Sequence, residues 1–186
     1  GLLLTLQLCG GGILLGLLIG VIMGILRTNH RSRILRYVAV MYIEFFRAVP
    51  LMLLFIVAYF GLVSLGYNVS RFVAVLMAFS LYNGAYIGEV VRAGIESVDH
   101  GQWEAATSIG MSYLQMLRYV ILPQAIKIMI PPAIGVVIAA VKASSLASVV
   151  GYVELLLAAR HVIQRTYAAL LVMGSISVIY FVICYP

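Results

Sequence analysis

Only 10% of the 186 residues are Asp, Glu, Lys or Arg, so the side chains able to do ionic chemistry are few. Glu89 and Arg92 stand three apart in an apolar run, with Tyr86 and Asn83 one and two turns earlier on the same helical face. Charges inside an apolar stretch are costly and face a cavity, a partner or water. A carboxylate beside a guanidinium complements a zwitterion: the carboxylate receives an ammonium, and the guanidinium forks onto a carboxylate. The same two residues also read as a plain intrahelical ion pair. Glu44 and Arg47 repeat the spacing, but snorkelling to an interface accounts for them better. Ser144 and Ser145 suit the cap of a following short helix, whose N-terminal dipole favours an anionic group. A cap with no ligand fits them equally well. Other chemistries lack their residues. There is no G-x-x-x-x-G-K-[ST] phosphate loop and no His-Glu-x-x-His, and His30, His100 and His161 fall in polar connections, so neither a metal site nor catalysis is expected. Cys9 and Cys184 lie in apolar runs and read as reduced packing residues.

The elements that must position these groups live in lipid. Hydrophobic residues make up 64% of the chain and mean hydropathy is +1.12, where a soluble domain is about half apolar and a quarter charged. Apolar runs such as Leu51 to Val63 and Ile134 to Val141 lack the alternation of a transmembrane barrel, leaving an all-α membrane protein. Five spans are expected, at about 1–26, 37–64, 71–95, 121–142 and 165–186, within one transmembrane domain over 1–186 whose two ends both read as truncated. The net charge of +6 reads as positive-inside bias rather than nucleic-acid binding. Arg27, Arg31, Arg33 and Arg36 place the first connection in the cytoplasm, hence the N-terminus outside and the C-terminus inside; Arg71 is a lone charge on the opposite side. The first stretch has no basic start or small-residue cleavage site and reads as a span. Gly12, Gly16, Gly20 and Gly24 form a ridge that admits a close helix, either within the chain or in a dimer. Pro131 and Pro132 should kink or break the fourth span. Ser144 to Gln164 reads as a short re-entrant or interfacial helix near the outer side.

The segment from about 96 to 123 is the most informative. Asp99 with Gln102, and Ser112 with Gln115, each match an N-cap and N3 pair, and Gly110 between them supplies a left-handed turn. Two short helices on the cytoplasmic side are expected, tied to the ends of the third and fourth spans and suited to docking a partner.

Here the sequence resembles the permease subunits of binding-protein-dependent ABC importers. Their signature, EAA, three residues, G, nine residues, I, one residue, LP, stands as Glu104-Ala105-Ala106, Gly110, Val120 and Leu122-Pro123, with only Val120 departing. GQWEAA from Gly101, ILPQA from Ile121, Pro131-Pro132, Phe45-Phe46-Arg47-Ala48-Val49-Pro50 and the run from Asn83 to Ile95 resemble the polar amino acid branch, which serves histidine, glutamate, glutamine, arginine and opines. Members of that branch often carry an acidic or other polar residue where Ala143 stands, which puts cation binding there in doubt.

The resemblance implies the type I importer fold and a multi-pass protein of the bacterial inner membrane. Gln102, Glu104, Ala105, Ala106, Gly110, Leu122 and Pro123 would form the coupling region that fits an ATPase groove. Asn83, Tyr86, Glu89, Arg92, Ser144 and Ser145 are the candidate substrate contacts. It further implies a second permease subunit, two ATP-binding cassette subunits that hold ATP and magnesium, and an extracytoplasmic binding protein; this chain would bind no cofactor and make no covalent bonds. The rival reading is an ion-coupled secondary transporter that works without an ATPase, with Glu89 and Arg92 as its relay.

Overall fold

A computed structural model describes residues 1–29 and 32–185. His30 and Arg31 lie outside the described residues. Among the described residues every regular element is a helix.

Helix α1, Leu2–Thr28, runs parallel to α4, Arg71–Glu96, and the two share the most extensive interface among the described residues. The cause is the glycine ridge. Gly12, Gly16, Gly20 and Gly24 are all buried, and each lies against a residue of α4 at the same spacing of four: Phe79, Asn83, Ile87 and Val91. A methyl group at Gly20 would sit 2.6 Å from Ile87 Cβ, and one at Gly24 2.6 Å from Val91 Cβ. The absent side chains therefore let the two backbones approach, which is how helices gain dispersion contacts where lipid supplies no hydrophobic drive. The ridge is used within the chain.

Helix α2, Arg33–Ala48, and α3, Leu51–Ser64, meet at 102°, so the span expected at about 37–64 is a bent pair of helices rather than one continuous helix. Pro50 is the reason. It forces Val49 into extended backbone (φ −86°, ψ 129°), ends α2 and starts α3. A π-helical turn, Val57–Gly61, lies within α3.

After α4, Asp99 opens α5, His100–Ser108. Helix α6, Tyr113–Val150, is a single 38-residue element with a π-helical turn at Leu117–Ile121 and a 3-10 end at Ser144–Val150. The expected break at Pro131 and Pro132 does not occur: both lie inside an uninterrupted helix. Membrane helices tolerate proline where neighbours and local adjustment satisfy the freed carbonyls, and the wide turn just before Pro123 is such an adjustment. Helices α7, Leu155–Thr166, and α8, Ala169–Cys184, close the chain and pack on each other through Leu155, Ala159 and Ile176. The expected single helix over 144–164 is thus a 3-10 end followed, after Gly151 in the left-handed region (φ +75°), by α7.

By length and apolarity α1, α4 and α6 can each cross a bilayer, and the bent α2–α3 pair makes a possible fourth; α8, at 16 residues, is shorter. Two clusters of buried side chains fill the bundle. One gathers Leu8, Phe55, Phe79, Ala140 and Tyr152 at the α1 N-terminal end, and the other Ile87, Ile95, Leu117, Ile121 and Ala125 at the opposite end, beneath α5.

Candidate functional site

Three places bring polar side chains together: a cavity between α4 and α6, a charged cluster where α1, α2 and α4 meet, and the α5 segment.

The cavity measures about 300 Å³. Tyr82, Asn83 and Tyr86 of α4 form one wall, and Pro132, Gly135, Val136, Ala139, Ala140 and Ala143 of α6 form the other. The two tyrosine rings are 4.8 Å apart, and the Tyr82 hydroxyl donates to the Tyr86 hydroxyl at 3.2 Å. Asn83 is buried and its amide donates to Phe79 O at 2.9 Å. Asn83 and Tyr86 were expected from the sequence. Tyr82 and the small residues of α6 were not, although Tyr82–Tyr86 at i, i+4 and Gly135, Ala139, Ala143 at the same period are the signals that mark them.

One turn along α4, Glu89 sits in a charged cluster rather than facing an open site. Arg92 Nε donates to Glu89 at 3.1 Å, Arg27 reaches Glu89 at 3.2 Å and Glu44 at 2.8 Å, and Arg47 reaches Glu89 at 3.5 Å. Arg92 also pairs with Glu96. Arg47 lies over the Tyr86 ring, 5.8 Å from its centre. Three carboxylates thus answer three or more guanidiniums across three helices. Of the two readings of Glu89 and Arg92, the intrahelical ion pair is present and is extended by Arg27 and Arg47, so a zwitterion would have to displace existing partners to reach either group. Arg27 and Arg47, read from the sequence as topological or interfacial charges, belong to the same cluster.

Ser144 and Ser145 also stand differently from the expectation. Their hydroxyls donate back to Val141 O at 2.7 Å and Lys142 O at 2.8 Å, so they continue α6 instead of capping a new helix. The next helix is capped by Glu154, a residue with no exposed surface, which accepts from the Leu156 and Leu157 amides at 2.7 Å each. The Leu155 amide donates to Thr5 Oγ1 at 2.9 Å, tying α7 to α1.

The α5 segment forms from the caps the sequence shows. Asp99 Oδ1 accepts from the Gly101 amide at 2.8 Å, and Gln115 reaches back to the Ser112 amide at 2.9 Å. Gln102, expected to complete the first box, instead accepts from Gln124 of α6 at 3.2 Å, a link back to the bundle. Gly110 adopts φ +77°, a conformation costly for any residue with a Cβ. Ala106 is buried, whereas Gln102, Glu104 and Ala105 face outward; the Glu104 side chain is 72% exposed and meets His100 at 3.1 Å. Trp103 stacks on Tyr113, centres 6.3 Å apart, so α5 rests on the start of α6. Leu122 packs into the core beneath, and Pro123 is exposed at the surface. A hollow of about 810 Å³ separates α5 from the ends of α1 and α4. Its lining includes Thr28, Glu96, Trp103 and Tyr113. The segment is joined to α4 and α6 at its two ends and rests on α6 through Trp103 and Gln102.

Among the described residues no group of three or more His, Cys, Asp or Glu is placed to hold a metal ion.

The profile of the family described as binding-protein-dependent transport system inner membrane component matches residues 16–185. The chain is 40% identical over 169 residues to the probable amino-acid ABC transporter permease protein YckA of Bacillus subtilis (strain 168), covering 91% of this chain and 74% of that protein. It is 33% identical over 184 residues to the arginine transport system permease protein ArtQ of the same organism, covering 98% and 84%. The crystal structure of an amino acid ABC transporter with histidines superposes with a TM-score of 0.91 at 36% identity, over 99% of this chain and 86% of that one. The MetNI methionine ABC transporter, at 22% identity and TM-score 0.80, shares the fold.

Proposed function

The chain belongs to the family of binding-protein-dependent transport system inner membrane components, multi-pass transport subunits that are not enzymes, and from that premise we propose that it is the permease of an ATP-driven amino acid importer. Two such subunits, alike or paired with a close relative, would form a pathway fed by an extracytoplasmic binding protein and driven by two ATP-binding cassette subunits. ATP and magnesium belong to those partners. In this reading five membrane passes are α1, the bent α2–α3 pair, α4, α6 and α8, with the N-terminus outside, and α5 and the C-terminus in the cytoplasm.

The observation that carries the reading is the α5 segment. Its outward face offers Gln102, Glu104 and Ala105, a short, small-residue surface onto which another protein can close, and its ends are fused to α4 and α6, which form the cavity. Closure of the ATPases would draw α5 and its counterpart together, tilt α4 and α6 and expose the cavity to alternate sides. Asn83 and Tyr86 are the substrate contacts best supported. Glu89 and Arg92 would act as part of the charged cluster at the cytoplasmic end, and Ser144 and Ser145 as the backbone support of Ala143. Similarity to ABC permeases throughout gives the ion-coupled secondary transporter no support.

Reconstitution with the ATPase and binding protein tests the proposal. Glu104→Lys, on a side chain that makes no buried contact, is expected to abolish substrate-stimulated ATP hydrolysis while the complex still assembles and unfolds at the same temperature. Undiminished stimulation would contradict it.

A further inference from the structure

We infer that the cavity between α4 and α6 admits an amino acid with an uncharged side chain, and that the Tyr82–Tyr86 hydroxyl pair reads a carboxamide or hydroxyl on it. The inference rests on the reading of that cavity as part of the pathway. Its volume, about 300 Å³, is at the small end for ligand sites and suits one amino acid. No Asp, Glu, Lys, Arg or His lines it. The α6 wall is a stripe of Gly135, Ala139 and Ala143, which can neither neutralise a charge nor hydrogen-bond through a side chain. Lys142 precedes Ala143 but is not among the lining residues, and Arg47, over the Tyr86 ring, is held to Glu89 at 3.5 Å within a cluster of opposite charges. The α-ammonium and α-carboxylate of any amino acid balance each other, but an ammonium or carboxylate side chain would add a net charge that no lining residue answers, which is strongly unfavourable.

A neutral polar side chain meets a different surface. Because the Tyr82 hydroxyl spends its proton on Tyr86, the pair offers one remaining donor, the Tyr86 proton, and acceptor capacity on the Tyr82 oxygen. A primary amide has the matching acceptor and donors, and a hydroxyl has one of each. The ring faces and the alanines cover the methylenes between that group and the backbone of the ligand.

Thiol protection in the assembled transporter tests this without the selectivity of the binding protein. Ala139→Cys is placed in a Cys9→Ala, Cys184→Ser background, reconstituted with the ATPase alone, and its alkylation is followed with glutamine, arginine or glutamate present. Glutamine is expected to protect the thiol; arginine and glutamate are not. Adding Tyr86→Phe should raise the half-protecting glutamine concentration about five- to tenfold, the loss of one hydrogen bond. Protection by arginine or glutamate at the glutamine concentration would overturn the inference and leave the pathway reading standing. No protection by any amino acid, with the thiol still reactive, would overturn the pathway reading and the inference with it.

Discussion

Glu89 shows how far a single residue can be read from sequence. Its spacing to Arg92 is a helix property and so was legible, and the structure keeps the pair. The further partners, Arg27 and Arg47, come from other helices, and no local pattern foretells that they converge on one carboxylate. Glu89→Gln should therefore act on stability first. Arg92 retains Glu96 and Arg27 retains Glu44, but Arg47 loses its ion pair with Glu89, and a partly buried charged hydrogen bond disappears. We expect a loss of about 2 kcal/mol, seen as a thermal unfolding midpoint several degrees lower in detergent; an unchanged midpoint would show that the cluster contributes nothing to the fold. Ser144 and Ser145 failed as caps for a related reason. Their hydroxyls can serve either a new helix or the one they end, and the choice was made by α6 running on into a 3-10 turn. Glu154, which does cap, was visible only as a charge in an apolar stretch.

At the scale of elements, local chemistry was the most legible. The caps at Asp99 and Ser112 and the left-handed Gly110 stand where the sequence puts them, because each is decided by a few adjacent residues. The bend after Ala48 was carried by Pro50, whose effect on Val49 was available but outweighed by the predominantly apolar stretch from 37 to 64, interrupted only by Glu44 and Arg47 among charged residues. At Pro131 and Pro132 the break, one of the two outcomes expected, does not occur, since a lipid-embedded helix packed on neighbours can continue through prolines that would break an isolated one. The glycine ridge left two readings open, internal packing or a dimer, and only the facing residues of α4 decide between them. Gly20→Leu is expected to force α1 and α4 apart and cost at least 1–3 kcal/mol, whereas Gly10→Ala, where an added Cβ meets nothing within 4 Å, should be neutral. Fluorescence size-exclusion profiles after graded heating would separate the two; equal losses would deny the close packing.

For the molecule as a whole, composition pointed to the lipid bilayer and the spaced signature from Glu104 to Pro123 pointed to the permease family, both from the chain alone. What composition could not give was the geometry of the pathway. The cavity arises where a tyrosine pair on α4 meets a stripe of small residues on α6, fifty residues distant in sequence, and neither half is informative by itself. Helices α4 and α6 join that cavity to α5, so the proposed function depends on α5 standing on the side where ATP is hydrolysed. The direct measurement is membrane-impermeant thiol labelling of Gln102→Cys and Ser112→Cys, in the cysteine-free background, in vesicles of both orientations. Labelling in inside-out vesicles and none in sealed right-side-out vesicles is the result expected. Labelling of both residues from the outer face alone would reverse the topology and remove the coupling of this chain to an ATPase.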